Sequence, residues 1–219
     1  MIEISLSEFP KAGFGYDVKI TDENATIADY VAALDEFQTK YVADCRGCDG
    51  CCWERVPLGI ADYFWARTLF TEPCSISEWL KNTASLTEIN GGLDIYLKRV
   101  ADSACMFLDK AKKECKKHTA RPLVCRTHTC LPKSYCALEL RGAVVNMLED
   151  ELVRRLLAEI NMSGRFPKQA WQEILQKAQI EDYEKTPLSN YSVAELEKSC
   201  LNVKIKQIVN VGLWQELTM

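Results

Sequence analysis

Eleven cysteines stand in a chain of 219 residues, and ten of them fall between Cys45 and Cys136. No other feature restricts the chain so strongly. Thiols gathered in this way are oxidised to disulfides or bound to metal, and the redox compartment decides between the two. Residues 1–13 carry Glu3 and Glu8, lack a basic start and contain no continuous apolar core, so they do not read as a secretory signal. The expectation is a cytoplasmic protein with reduced thiols, in which the clustering points to metal ligation. The longest apolar stretches, such as Tyr63-Phe64-Trp65-Ala66 and Ala143-Val144-Val145, fall far short of the ~18–20 residues that cross a bilayer. No transmembrane helix and no membrane partner are expected.

The spacing narrows the chemistry. Cys45, Cys48, Cys51 and Cys52 form a CxxCxxCC run in which Gly47, Asp49 and Gly50 supply the composition of a tight loop. Two-residue gaps let successive thiolates converge, and the first three match the start of the bacterial ferredoxin pattern. The fourth ferredoxin position is Arg55 here, so a completing thiolate must come from elsewhere in the chain. Cys52, directly beside Cys51, suggests a second centre or a ligand role divided between two ions.

Downstream, Cys105, Cys115 and Cys125 follow at equal intervals, and Cys130 and Cys136 extend the set. All-thiolate ligation suits both zinc and iron–sulfur clusters. Zinc's usual signature is two separated CxxC pairs. A run of four followed by widely spaced single cysteines suits a larger inorganic core, so an iron–sulfur cluster, of the 4Fe-4S kind, is favoured over zinc or mononuclear iron.

The local charge agrees with an anionic centre. Between Asp109 and Lys133 lie Lys110, Lys112, Lys113, Lys116, Lys117, Arg121, Arg126 and Lys133, against only Asp109 and Glu114, in a chain of net charge −4. Nearby cations favour thiolate over thiol. The outlying lysines read equally well as a solvated face, which leaves Arg121 and Arg126, beside Cys125, as the candidates for a local role. An acidic chain of pI near 5.4 argues against non-specific nucleic-acid binding.

His118 and His128, the only histidines, read as surface or packing residues beside so many thiolates. Cys74 and Cys200 stand alone in apolar contexts and read as buried core residues. No nucleophile-and-base motif, Gly-rich phosphate loop or HExxH is present, so no catalytic residue is assigned.

The chain has room for one ordinary domain, or one with a helical appendage, and its 47% apolar and 26% charged residues are those of a globular protein. Thr26 with Asp29 opens a helix carrying Ile27, Val31, Leu34, Phe37 and Tyr41 at helical spacing. Ala61 to Phe70 reads as a short packed helix. Ser75 with Glu78 starts another, Gly91-Gly92 marks a turn, and Leu93, Ile95 and Leu97 alternate as a strand. Leu140, Val144, Leu148, Leu152, Leu156 and Ile160 make a long helical stripe ended by Ser163-Gly164. Further helices fit Pro167 to Ala178 and Ser192 onward, while the tail from Leu201 reads equally as strand or helix. The expected fold is helix-dominated α+β. A cysteine-cluster metal-binding domain with an N-terminal helix would span 1–136, and a helical extension 137–219.

CxxCxxCC, then Cys105-Met106-Phe107-Leu108, a single cysteine, and Arg121-Pro122-Leu123-Val124-Cys125-Arg126 resemble, in that order, the YkgJ-type cysteine-cluster family, described as a zinc- or iron-chelating domain. The resemblance runs from about Asp44 to His128. It implies metal ligands at Cys45, Cys48, Cys51, Cys52, Cys105, Cys115 and Cys125; Cys130 and Cys136 extend the set beyond its pattern, and either is a candidate eighth thiolate. Lys116-Lys117-His118 replaces an aromatic often found there, which makes this environment more polar. The function implied is electron transfer, metal handling or service to a maturation pathway with a redox or maturation partner. A similar run in flagellin lysine methylases keeps an enzyme as an alternative, and a zinc-stabilised interaction module that meets an acidic partner is another.

Overall fold

The computed structural model describes residues 1–10, 12–42, 47–66 and 75–219. Helix accounts for 48% of it beside small two-stranded sheets, a helix-dominated α+β fold. In chain order come β1 (Ile2–Phe9), β2 (Gly13–Ile20), α1 (Ile27–Tyr41), a 3₁₀ turn (Gly50–Trp53), α2 (Ile60–Ala66) and α3 (Ile76–Thr83). Next are β3 (Ala84–Ile89), β4 (Gly92–Leu97), β5 (Leu108–Asp109), β6 (Glu114–Cys115), α4 (Leu123–Arg126) and α5 (Tyr135–Ser163). The C-terminal part adds α6 (Gln172–Lys177), α7 (Val193–Ser199) and α8 (Val211–Thr218). Among the described residues no helix is long and apolar enough to cross a membrane. The elements form two compact units, each assembled from separated stretches of chain.

The first unit comprises Met1–Asp44, Cys125–Met147 and Thr186–Met219. β1 and β2 pair antiparallel from Ile2↔Ile20 to Phe9↔Gly13, and the turn uses Gly13 at φ +75°. Tyr16, Val18 and Ile20 share the buried face of β2, while α1 buries Ile27, Tyr30, Val31, Leu34 and Phe37. The Tyr16 and Phe37 rings meet at 5.4 Å. Thr26 caps α1 as its sequence implies: its hydroxyl accepts from the Asp29 amide, and the Asp29 carboxylate accepts from the Thr26 amide at 2.8 Å. The edge of β2 receives a further segment, with the Tyr16 amide donating to Pro132 O and the Ser134 amide to Tyr16 O, both at 3.0 Å. A Cβ on Gly15 would stand 2.3 Å from Pro132 O, so only glycine lets this segment dock.

The second unit comprises Cys45–Val124 and Leu148–Lys185. Ser75 and Glu78 form the capping box of α3. β3 and β4 then make a hairpin whose turn, Asn90-Gly91, has φ of 53° and 85°; two positive values suit the tight two-residue hairpin turn. Segment 56–58 runs along β4, with the Leu97 amide donating to Val56 O and the Leu58 amide to Ile95 O. From Leu148 onward α5 supplies the unit's apolar spine: Leu148, Leu152, Val153, Leu156, Leu157 and Ile160 are buried. Its end is the expected one, since Gly164 takes φ +66° and its amide bonds Ile160 O at 2.7 Å.

Several local expectations shift. The N-terminal hairpin is an addition to the elements read from sequence. The helix expected over 167–178 is a 3₁₀ turn at Gln169–Trp171 followed by α6, and the ambiguous tail is helical in α8. The aromatic helix is α2, where Tyr63 and Phe64 are buried as expected of core residues. Its proposed continuation to Phe70 lies outside the described residues.

Candidate metal centre

Three short pieces of the second unit carry thiols towards one another. The 3₁₀ turn at Gly50–Trp53 presents Cys51 and Cys52 just before the segment that runs along β4. The chain leaving β4 folds back at once: Arg99 bridges Cys105, and the Val100 amide donates to Ala104 O at 2.9 Å. The Cys105 amide then donates to Cys52 O at 2.8 Å, which fixes the two cysteines side by side. Arg99 reinforces the fold, donating to Ser103 O and to Trp53 O.

Cys115 arrives by a small hairpin. β5 and β6 pair Leu108 with Cys115 and Asp109 with Glu114. Asp109 makes the turn possible by accepting from the Ala111 and Lys112 amides at 3.1 and 3.2 Å, and Lys113 takes φ +51°. The Lys116 amide closes the loop on Phe107 O. Cys105 Sγ accepts from the Phe107 amide at 3.4 Å, so its sulfur is already oriented.

The four sulfurs act on one another electrostatically. Cys52 donates to Cys51, which holds the Cys51 thiol down to about 6, while Cys52, as donor beside three other sulfurs, is pushed far up. Burial raises Cys105 and Cys115, and each also feels Cys51. One member of the group is thus prepared as a thiolate, and the others hold protons that a soft metal would displace.

Arg121 supplies the compensating charge. Its guanidinium favours the thiolate at both Cys51 and Cys115, and its Nε is buried with no hydrogen-bond partner among the described residues. A buried charged donor without an acceptor is costly, and it sits where an anionic metal–thiolate centre would accept its hydrogen bond. The donor set and this orphaned N–H therefore fit a thiolate-bound zinc or iron. Among the described residues no three His, Cys, Asp or Glu side chains already stand close enough to hold an ion. The thiols are neighbours that a metal would draw inward, as expected where binding completes folding.

Asp62, which belongs to none of the cysteine motifs, places Arg121. The carboxylate, only 3% exposed, accepts from the Gly59 amide at 2.9 Å and the Leu123 amide at 2.7 Å. It thereby pins Arg121-Pro122-Leu123 to the start of α2. An aspartate three residues after Gly59, at a helix entry, was the available signal. Gly59 itself must be small, since a Cβ there would lie 2.7 Å from Leu148 Cβ.

The remaining expected ligands are placed differently. Cys48 is exposed. Cys45 and Cys74 lie outside the described residues. Cys125, half-buried, and Cys130, exposed, belong to the first unit. Cys136 is raised by burial and by Glu216, whose carboxylate stands 3.6 Å from its sulfur. Arg126 pairs with Asp35 of α1 at 2.6 Å, and its carbonyl accepts from Gln38. Lys110, Lys112, Lys113, Lys116 and Lys117 are exposed, so most of the basic ribbon is a solvated face. Cys200 is buried, as a core cysteine should be.

Residues 44–139, a little under half of the chain, match the family model CxxCxxCC, described as "Putative zinc- or iron-chelating domain". The match covers every motif cysteine from Cys45 to Cys136 and supports metal binding by this segment. No curated protein and no solved structure matches the chain.

Proposed function

We propose that the protein carries an iron–sulfur cluster of the 4Fe-4S kind and serves in the cytoplasm in electron transfer, metal handling or cofactor maturation, with a redox or maturation protein as partner. The observation that carries this reading is the gathering of Cys51, Cys52, Cys105 and Cys115 beside the buried Arg121 donor. Cys45 and Cys48 would add thiolates from the same loop. Held by these thiolates, the group would supply one-electron redox chemistry. Cys51 offers the first thiolate, Cys52 its proton on binding, and Arg121 an N–H that balances the negative charge gathered there.

The test is anaerobic purification followed by iron, acid-labile sulfide and zinc analysis. The reading expects brown protein with iron and sulfide in comparable amounts. Colourless protein holding stoichiometric zinc alone would assign the same thiols to a structural zinc site and remove the redox role.

A further inference from the structure

In the hairpin of the first unit the Thr21 amide donates to Met1 O at 2.9 Å, which fixes the phase of the whole ladder. Glu3, Ser5 and Ser7 exchange bonds with β2, and the backbone groups of Ile2, Ile4, Leu6 and Glu8 point away from it. The same alternation aims Tyr16 outward on β2, where Pro132 and Ser134 meet it. β4 is covered in a similar way by segment 56–58. β1 has no such cover: among the described residues it pairs with β2 alone. Its inner face packs on α1, so what stands open is the row of amides and carbonyls along its edge.

Protected edges are short, or carry lysine, proline or a bulge. β1 has none of these: its eight residues, Ile2-Glu3-Ile4-Ser5-Leu6-Ser7-Glu8-Phe9, keep an unbroken register with β2, and Leu6 is 43% exposed. Such an edge accepts a strand whose pattern matches it, and β1 matches itself. Placed antiparallel about a two-fold axis at Ser5, it sets Ile4 opposite the partner's Leu6 and Ile2 opposite the partner's Glu8. This is the one register in which every outward-pointing residue meets another. Glu3 then faces the partner's Ser7, so no glutamate stands directly across from a glutamate. The registers that bring Glu3 or Glu8 against its own copy also leave outward-pointing groups unpaired.

We propose that β1 is a dimerisation edge, through which two copies of this chain join by antiparallel β1–β1 pairing centred on Ser5. The result is one continuous antiparallel sheet in the order β2–β1–β1–β2. Each outward pair exchanges both N–H···O bonds, and Ile4 and Leu6 cover one another across the join. A strand edge is a small interface, so association in the micromolar range is expected.

The experiment takes the anaerobically purified full chain with its metal bound, follows its mass by sedimentation equilibrium over a concentration series, and reads amide exchange at both ends of that series. Wild-type protein should reach twice the monomer mass, and the Ile4 and Leu6 amides should become protected as concentration rises. Leu6→Lys sets a charge against Ile4 on both sides of the axis and should weaken association about tenfold or more. Ser5→Lys and Ser5→Glu each place like charges across the axis and should weaken it about threefold to fivefold, whereas mixing the two variants should restore at least wild-type association. Ser5 and Leu6 are exposed, so these changes leave the hairpin core intact. A wild-type chain that stays monomeric to about 0.1 mM would overturn the proposal and leave the edge to a strand of another protein. A dimer that ignores Leu6→Lys, or whose Ile4 and Leu6 amides exchange as they do in the monomer, places the interface elsewhere and overturns it too. A mixture of the Ser5 variants that associates no better than either alone contradicts the axis at Ser5.

Discussion

Segment 98–117 and the Leu148–Ile160 stretch of α5 belong to the same compact unit but are ordered by different means. The helix buries six large apolar side chains in little more than three turns. The cysteine segment buries Ala104, Cys105 and Leu108, and its two strands are two residues each. Its order comes from single hydrogen bonds, such as Cys105 N to Cys52 O, and from the Asp109 turn. Apolar burial sustains the helix without help. The cysteine segment has too little of it, and a metal that joins its sulfurs would supply the difference.

Removing the metal should therefore have the largest effect, and an uneven one. Chelation is expected to abolish amide protection across segment 98–117 while α5 keeps its slow exchange. Equal protection of the cysteine segment with and without metal, measured by hydrogen exchange, would erase the contrast.

Asp62→Ala comes next, because it removes the charged acceptor of both the Gly59 and Leu123 amides. It should cost on the order of 2–4 kcal/mol in denaturant unfolding. It should also loosen Arg121, so that bound metal is lost at lower chelator concentration than in wild type. Unchanged metal retention would confine Asp62 to a structural role.

Glu149 sharpens the helical side of the comparison. Burial, with Asp94 and Asp150 nearby, pushes its carboxyl from an ordinary 4.5 up to about 8. The folded state thus holds this proton more tightly than the unfolded chain does. The associated stability is fully present below pH 4.5 and is lost as pH rises to about 8. Glu149→Gln keeps the neutral form and should stabilise the protein at pH 8 by on the order of 1–3 kcal/mol, allowing for partial solvent screening. Parallel stability profiles of variant and wild type between pH 5 and 8 would show that Glu149 is ionised throughout. The smallest effect belongs to Thr26→Ala, which removes the α1 cap and should lower stability by about 1 kcal/mol without touching metal content.

How much of this was legible differs with the physics. Helices announce themselves through period and caps, so α1, α5 and α7 follow from Thr26, the Leu140–Ile160 stripe and Ser192 with Glu195. The N-terminal hairpin does alternate, at Ile2, Ile4 and then Tyr16, Val18, Ile20, but Leu6 and Phe14 are exposed and blur the pattern. The cysteine motifs carried the chemistry of the candidate site, and Arg121 was legible from its neighbour Cys125. Its anchor was not: Asp62 acts on Leu123 across 61 positions, a separation no local pattern encodes. Arg126 looks equivalent to Arg121 in sequence, yet Asp35, 91 positions away, claims it.

The central claim is that the adjacent cysteines and the distant Cys115 serve one centre. It is tested most directly by the metal content of anaerobically purified Cys115→Ser, with Cys200→Ser as the buried control. Serine is a poor ligand for a soft metal, so Cys115→Ser should lose most of its bound metal, while Cys200→Ser keeps a full load at some cost in stability. A Cys115→Ser protein that retains the wild-type metal content contradicts the account.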